Sequence, residues 1–209
     1  MTTSFDGGRR LLLLGAGAAG LGACSVLKAP EPVQLFRFGA SAGPGASAAA
    51  APSVTVLYTG TVFTRAAAGD RILTSTGVEI SYIGGSRWAT PAINLFEEGV
   101  LRAFQGSSVR LVARGAASRG DATLRIEVRN FEARYSAPDT APTVVVAARA
   151  LLTPVAAGAV TSDATFAAEL PAADNRVSAI AAAFDAATAD VLGRIVGWTA
   201  GGVRPAAPV

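Results

Sequence analysis

The segment TLRIEVRNFEARY, residues 123–135, decides the fold because it reads as one long β-strand with a single interruption. From Leu124 to Val128 every second residue is apolar and the residues between them are charged, which predicts a strand with one buried face. From Phe131 to Tyr135 the alternation continues in the opposite phase. One extra residue near Asn130 would restore a common face, so the segment predicts a β-bulge there.

Shorter segments on both sides of this strand predict further strands. Residues 78–82 alternate apolar and polar side chains, and Gly84-Gly85 should close that strand. Residues 143–152 are apolar at nearly every position, which is typical of a central strand. The remaining strand candidates are Val33–Phe38, Val54–Phe63, Arg71–Thr74, Val109–Ala113 and residues 160–170.

Two segments predict helices. The first should open at Thr90-Pro91, with the Thr90 hydroxyl as N-cap and the proline in the first turn. Glu98 and Arg102 are spaced to form an ion pair, and Gly106 suits the exit. The apolar stripe of this helix is Ile93, Phe96, Val100 and Phe104.

The second helix has a longer apolar stripe, and Asp174 is placed to cap its start. Residues 200–209 then predict a frayed, disordered tail. The stripe consists of Val177, Ile180, Phe184, Ala187, Val191, Ile195 and Trp198. Together, strands and helices predict one α+β domain, a mixed or antiparallel sheet covered by two helices.

The N-terminus predicts an export signal. RRLLLLGAGAAGLGAC, residues 9–24, places a basic pair before an apolar run that is shorter than the ~18 residues needed to span a bilayer. Leu21-Gly22-Ala23-Cys24 resembles a lipobox, which implies cleavage before Cys24 and lipidation of its thiol. We therefore expect a signal peptide over 1–23, a lipid-anchored tether over 24–32 and the folded domain over 33–199, with a flexible Gly/Ala linker at 39–53.

The same N-terminal residues allow a second interpretation. Residues 15–20 satisfy G-x-G-x-x-G, the pattern of a dinucleotide-binding turn in an oxidoreductase. That fold needs a second parallel strand and an acidic residue about 20 positions further on. Pro30, Pro32 and the carboxylate-free Val33–Phe38 stand there instead, so the pattern favours the signal peptide.

Composition restricts the chemistry. The chain has no histidine and one cysteine, and Lys28, its only lysine, lies beside the expected anchor. Ser-His-Asp, Cys-His and Ser-Lys sites therefore cannot be built in the folded domain, and no phosphate-binding P-loop is present. Glu97 and Glu98 point about 100° apart on a helix, which is typical of a solvated edge. We expect no enzyme, no metal site and no cofactor, and the dispersed net charge of +3 favours no nucleic acid.

The pair Arg87-Trp88 is the most distinctive local feature, because it follows the Gly84-Gly85 turn. In one interpretation Trp88 anchors the turn to the core and Arg87 pairs or stacks beside it. In the other, both side chains are exposed and contact a partner protein, as aromatic residues and arginine often do at interfaces. The pair is the candidate partner-binding site.

The order of several segments resembles the ABC-type transport auxiliary lipoprotein components. The resemblance rests on Arg71-Ile72, on the segment from Glu79 to Trp88 that continues into SRWATP, on the strand around Phe131 and on a last helix closing at Trp198. It implies a lipoprotein with no catalytic residues. It also implies membership of a system in which an MCE-domain protein, a permease and an ATPase move lipids between membranes.

From this resemblance we expect a non-catalytic accessory protein anchored by lipid to the periplasmic face of the outer membrane. Its partners would be the MCE-domain protein and, through it, the permease and ATPase. The alternative is an envelope scaffold lipoprotein that serves an outer-membrane barrel or cell-wall synthesis. The lipid cargo and self-association stay open.

Overall fold

The long strand predicted at residues 123–135 lies inside an eight-stranded sheet in the computed structural model, which describes residues 32–42, 54–113, 119–155 and 160–203. The described residues from Val33 onward group as one unit. The predicted signal peptide, Cys24 and the tether before Pro32 lie outside the described residues. In chain order the elements are β1 (Gln34–Phe36), β2 (Val54–Phe63), β3 (Arg71–Thr76), β4 (Glu79–Trp88), α1 (Ala92–Phe104), β5 (Val109–Ala113), β6 (Ala122–Tyr135), β7 (Thr143–Pro154), β8 (Ser162–Pro171) and α2 (Val177–Gly202).

β6 organises the sheet. It pairs antiparallel with β7 along one edge, and along the other it pairs in parallel first with β2 and then with β3. β7 lies between β6 and β8, as its apolar sequence predicted. The sheet is mixed, and α1 and α2 contact each other and its strands. The predicted α+β class with two covering helices is confirmed.

The predicted β-bulge is present. Val128 pairs with Ala148 but Asn130 pairs with Ala147, so one residue of β6 has no counterpart on β7. Val128 and Phe131 are both buried although three positions separate them. The bulge thus returns the apolar residues of both halves to the face beneath the helices.

Four aromatic rings form the centre of the core, each from a different part of the chain. Trp88 lies 4.9 Å from Phe38 and 5.2 Å from Phe184 between ring centroids. Phe131 lies 4.7 Å from Phe184. All four are at most 3% exposed, so this cluster fastens the segment after β1, two strands and α2 to one another.

The predicted flexible linker over residues 39–53 is wrong for residues 39–42, because these residues pack against the helices. Gly39 has a φ of 82°, and a Cβ there would lie 3.4 Å from the carbonyl oxygen of Leu95. Arg102 donates a hydrogen bond to the Gly39 carbonyl, in place of the predicted pair with Glu98. Ser41 donates to Asp185 on α2. Residues 43–53 lie outside the described residues.

The start of α1 differs from prediction. Pro91, not Thr90, is the N-cap residue, and no side chain caps the helix. The amides of Ala92 and Ile93 instead donate to the carbonyls of Gly69 and Ala68, which belong to the turn between β2 and β3. Backbone groups from a distant turn therefore satisfy the amides that a capping hydroxyl would have served.

Both ends of α2 also differ. Arg176 is its N-cap residue, and Asp174 accepts the Arg176 amide 2.7 Å away instead of capping the helix itself. At the other end the helix continues to Gly202, and Val203 is buried. The predicted tail over 200–209 is therefore ordered as far as Val203. Residues 204–209 lie outside the described residues.

Candidate partner-binding surface

β4 does not end at Gly84-Gly85 as predicted but continues to Trp88, and the glycines form a bulge. On the paired strand, Arg71 lies opposite Arg87 and Leu73 lies opposite Tyr82. Two residue steps along β3 are thus matched by five residue steps along β4, and Gly85 takes a φ of 64°. Arg71 and Leu73 lie on the same face of β3 because they are two residues apart. Their partners Arg87 and Tyr82 therefore lie on the same face of β4, although they are five residues apart.

The bulge decides where Arg87 and Trp88 point. Trp88 faces the helices and is 2% exposed, so it lies in the core. The hypothesis that Trp88 contacts a partner is therefore wrong, and the anchoring interpretation holds for it. Arg87, its neighbour along the strand, faces away from the helices with 49% of its side chain exposed. Of the two candidate residues, only Arg87 is available at the surface.

Arg87 helps to line a cavity of about 250 Å³ on this outer face. The cavity lies where β1 begins beside the β4 bulge, because β1 pairs only with residues 86–88. We call it the outer pocket, and its lining consists of Val33, Arg71, Tyr82, Ile83, Gly84, Gly85, Ser86 and Arg87.

The two arginines of the outer pocket are held in different ways. Arg87 forms an ion pair with Asp70 at 2.8 Å. Arg71 lies over the ring of Tyr82, 3.7 Å from its centroid, and no carboxylate among the described residues forms an ion pair with it. Tyr82 is fixed in turn, since its hydroxyl donates to the Ala66 carbonyl at 3.1 Å. Arg71 and Tyr82 could not be predicted as site residues from the sequence, because only the strand register brings them to Arg87.

Exposed apolar side chains also lie along this edge of the sheet. Val33, just before β1, and Leu35 on β1 are 48% and 64% exposed, and Ile80 on β4 is 60% exposed. Val78, at the turn of the β3–β4 hairpin, is fully exposed. β4 from Glu79 to Ile83 pairs with β3 on one side only among the described residues. This stretch is an open strand edge with apolar side chains beside it.

A second, larger cavity of about 470 Å³ opens beyond Tyr82 and Ile83. Hydroxyl, amide and carboxylate groups line it, among them Glu79, Asp139 and Asn175. The Tyr135 hydroxyl donates to Asn175 at 2.8 Å, and partial burial raises the pKa of that phenol. Its acidic lining contrasts with the basic outer pocket.

Glu97 has a structural role that the sequence did not indicate. Its carboxylate accepts the backbone amide of Thr61 at 3.2 Å, at a register shift in β2 beside Gly60. The prediction of a solvated edge is therefore wrong for Glu97. Tyr58 contacts the Thr61 hydroxyl, and burial raises the pKa of the phenol, with the Glu97 charge adding to the shift.

The described residues contain no group of three or more metal-ligating side chains. None of the described helices is both long and apolar enough to cross a membrane. The glycine pattern at residues 15–20 and the lipidation candidate Cys24 lie outside the described residues. The described surface carries the basic outer pocket, the larger acidic cavity and the open edge of β4.

Known structures share this fold. Protein XCC0632 from Xanthomonas campestris is 26% identical with a TM-score of 0.67, and the match covers 80% of this chain and 94% of that one. An uncharacterized protein is 15% identical with a TM-score of 0.62, over 80% and 99% of the two chains. No curated protein matches the chain. The model of one family, the ABC-type transport auxiliary lipoprotein component, matches residues 36–196. The chain therefore belongs to the ABC-type transport auxiliary lipoprotein component family.

Proposed function

We propose that this protein is a non-catalytic, lipid-anchored periplasmic accessory of an ABC/MCE-type system that moves lipids between membranes. The family match over residues 36–196 carries the proposal. The composition supports it, because a chain without histidine and with a single cysteine acts more readily by binding than by catalysis. Its partner is an MCE-domain protein and, through that protein, a permease and an ATPase.

Attachment to the outer membrane would depend on Cys24. Replacing Cys24 by alanine should leave an unprocessed precursor with no acyl chain. One acyl chain holds a protein on a membrane only marginally, whereas two or more anchor it stably. Mass spectrometry of the mature N-terminus measures both cleavage and acylation. Normal size and normal membrane fractionation of Cys24→Ala would contradict a lipid anchor.

The partner would contact the edge of β4 near the hairpin turn. Edge strands left open accept a strand from another protein, and side chains beside the edge supply selectivity. Here the open stretch runs from Glu79 to Ile83, with Val78 and Ile80 exposed beside it. Exposed apolar side chains along an open strand edge favour pairing of that edge with another chain.

Co-purification from detergent-solubilised membranes tests the proposal. The wild-type protein should bring down the MCE-domain protein, the permease and the ATPase, and Ile80→Lys should reduce their recovery. Leu101→Lys is the matched control, because Leu101 is a similarly exposed aliphatic residue but lies on α1. Recovery of a barrel or cell-wall synthesis protein instead of the transport proteins would overturn the proposal in favour of the scaffold alternative.

A further inference from the structure

The outer pocket contains two arginines but only one of them is paired with a carboxylate among the described residues. Arg71 and Arg87 lie directly opposite each other on antiparallel strands and line the same cavity. Like charges at such positions repel and destabilise the sheet. Asp70 neutralises Arg87, whereas among the described residues the charge of Arg71 contacts the face of the Tyr82 ring and no carboxylate. The pocket therefore keeps one positive charge that an anion would neutralise.

The backbone leaves room for that anion. A Cβ placed on Gly84 or Gly85 would meet no atom within 4 Å, so the glycines border open space. Guanidinium groups match phosphate oxygens because they donate two parallel hydrogen bonds. A cavity of about 250 Å³ lies below the range typical of drug-sized ligands, ~300–1,000 Å³. Its size therefore suits a phosphate with its immediate substituents and not a whole lipid.

The rim of the pocket favours a lipid phosphate over a free one. Val33, just before β1, lines the cavity. Leu35 on β1 pairs with Arg87 and therefore lies on the same outer face of the sheet. Both side chains are about half exposed or more. Aliphatic residues beside basic ones are the usual composition of a surface that meets both acyl chains and headgroups.

We propose that the outer pocket, through Arg71 and Arg87, binds the phosphate group of an anionic phospholipid, with Val33 and Leu35 against the first carbons of its acyl chains. This goes beyond the proposed function, because it assigns a lipid contact to the folded domain itself and requires none of the transport partners.

Calorimetric titration of the full-length protein in neutral detergent tests the site. The probes are dihexanoylphosphatidylglycerol and inorganic phosphate, which share the phosphate but differ in the glycerol and acyl chains. The lipid should bind, and phosphate should bind more weakly. Arg71→Gln should raise the lipid Kd about fivefold, the effect of one cation near an anionic lipid surface. Gly84→Gln should raise it by filling the cavity without changing charge.

Two further variants separate a local site from general charge. Arg125→Gln removes another exposed arginine, which is paired with Glu127 on β6, and should leave the Kd unchanged. Asp70→Asn removes the ion-pair partner of Arg87 and should tighten lipid binding. Glu132→Gln is its control, because it removes the ion-pair partner of Arg134 on β6 and should tighten binding less. Equal losses in Arg71→Gln and Arg125→Gln would overturn the site. Phosphate binding as tight as lipid binding would overturn the lipid assignment. Since no partner is present in this titration, neither result bears on partner capture.

Discussion

Replacing Trp88 by alanine measures how much of the fold depends on the four-ring cluster. The indole is 2% exposed and meets Phe38 at 4.9 Å and Phe184 at 5.2 Å between centroids. Truncating a buried aromatic residue to alanine costs about 3–5 kcal/mol, and the lost ring contacts place this site toward the upper end. A domain of this size loses roughly 2–4 °C of Tm per kcal/mol, so we expect Tm to fall by about 10–15 °C.

Urea unfolding followed by circular dichroism gives the free energy of unfolding directly, and an unchanged slope shows that the folded and unfolded states remain comparable. Arg87→Gln is the matched control. Its ion pair with Asp70 is about half exposed on both sides, and such pairs contribute at most ~1 kcal/mol. If Trp88→Ala cost no more than Arg87→Gln, Trp88 would not be a core residue and the phase reversal at the β4 bulge would be wrong. Trp88→Phe, which keeps a ring, should lose less than Trp88→Ala.

Two other perturbations test local claims. Arg149→Gln should raise the pKa of Asp163, because the Arg149 hydrogen bond now lowers it; a carboxyl titration by NMR measures this, and an unchanged pKa would contradict it. Since the folded-state pKa of Asp163 is depressed, its contribution to stability is present at neutral pH and is lost as pH falls through that pKa. Gly39→Ala should destabilise the protein by about 1 kcal/mol or more, given its positive φ and the nearby Leu95 carbonyl. Gly69→Ala, which meets no atom within 4 Å, should change the melting temperature little.

Patterns that depend only on neighbours along the chain could be read from the sequence. The bulge near Asn130 is such a case, because the apolar alternation itself changes phase there. The long stripe of α2 is another. Both concern which face of an element is apolar, and the hydrophobic effect decides that locally.

Features that depend on distant partners could not be read. Gly84-Gly85 looks like the end of a strand, yet the backbone passes through it as a bulge and reverses the phase. If side chains had simply alternated between the two faces from Tyr82 onward, Trp88 would lie on the outward face with Tyr82. The same holds for Arg71, whose position opposite Arg87 follows from register and not from spacing. The capping of α1 by the carbonyls of Ala68 and Gly69 has no sequence signal at all, since backbone groups carry no residue identity.

The central claim is that the open edge of β4 is the surface on which the protein meets its transport partner. Photo-crosslinking in intact cells tests it most directly, with a photoreactive amino acid at Ile80 and, in a second strain, at Leu101. These positions are 60% and 46% exposed, on β4 and α1. We expect irradiation to link position 80 to the MCE-domain protein and to leave position 101 unlinked. A crosslink to that protein from position 101 and none from position 80 would contradict the claim.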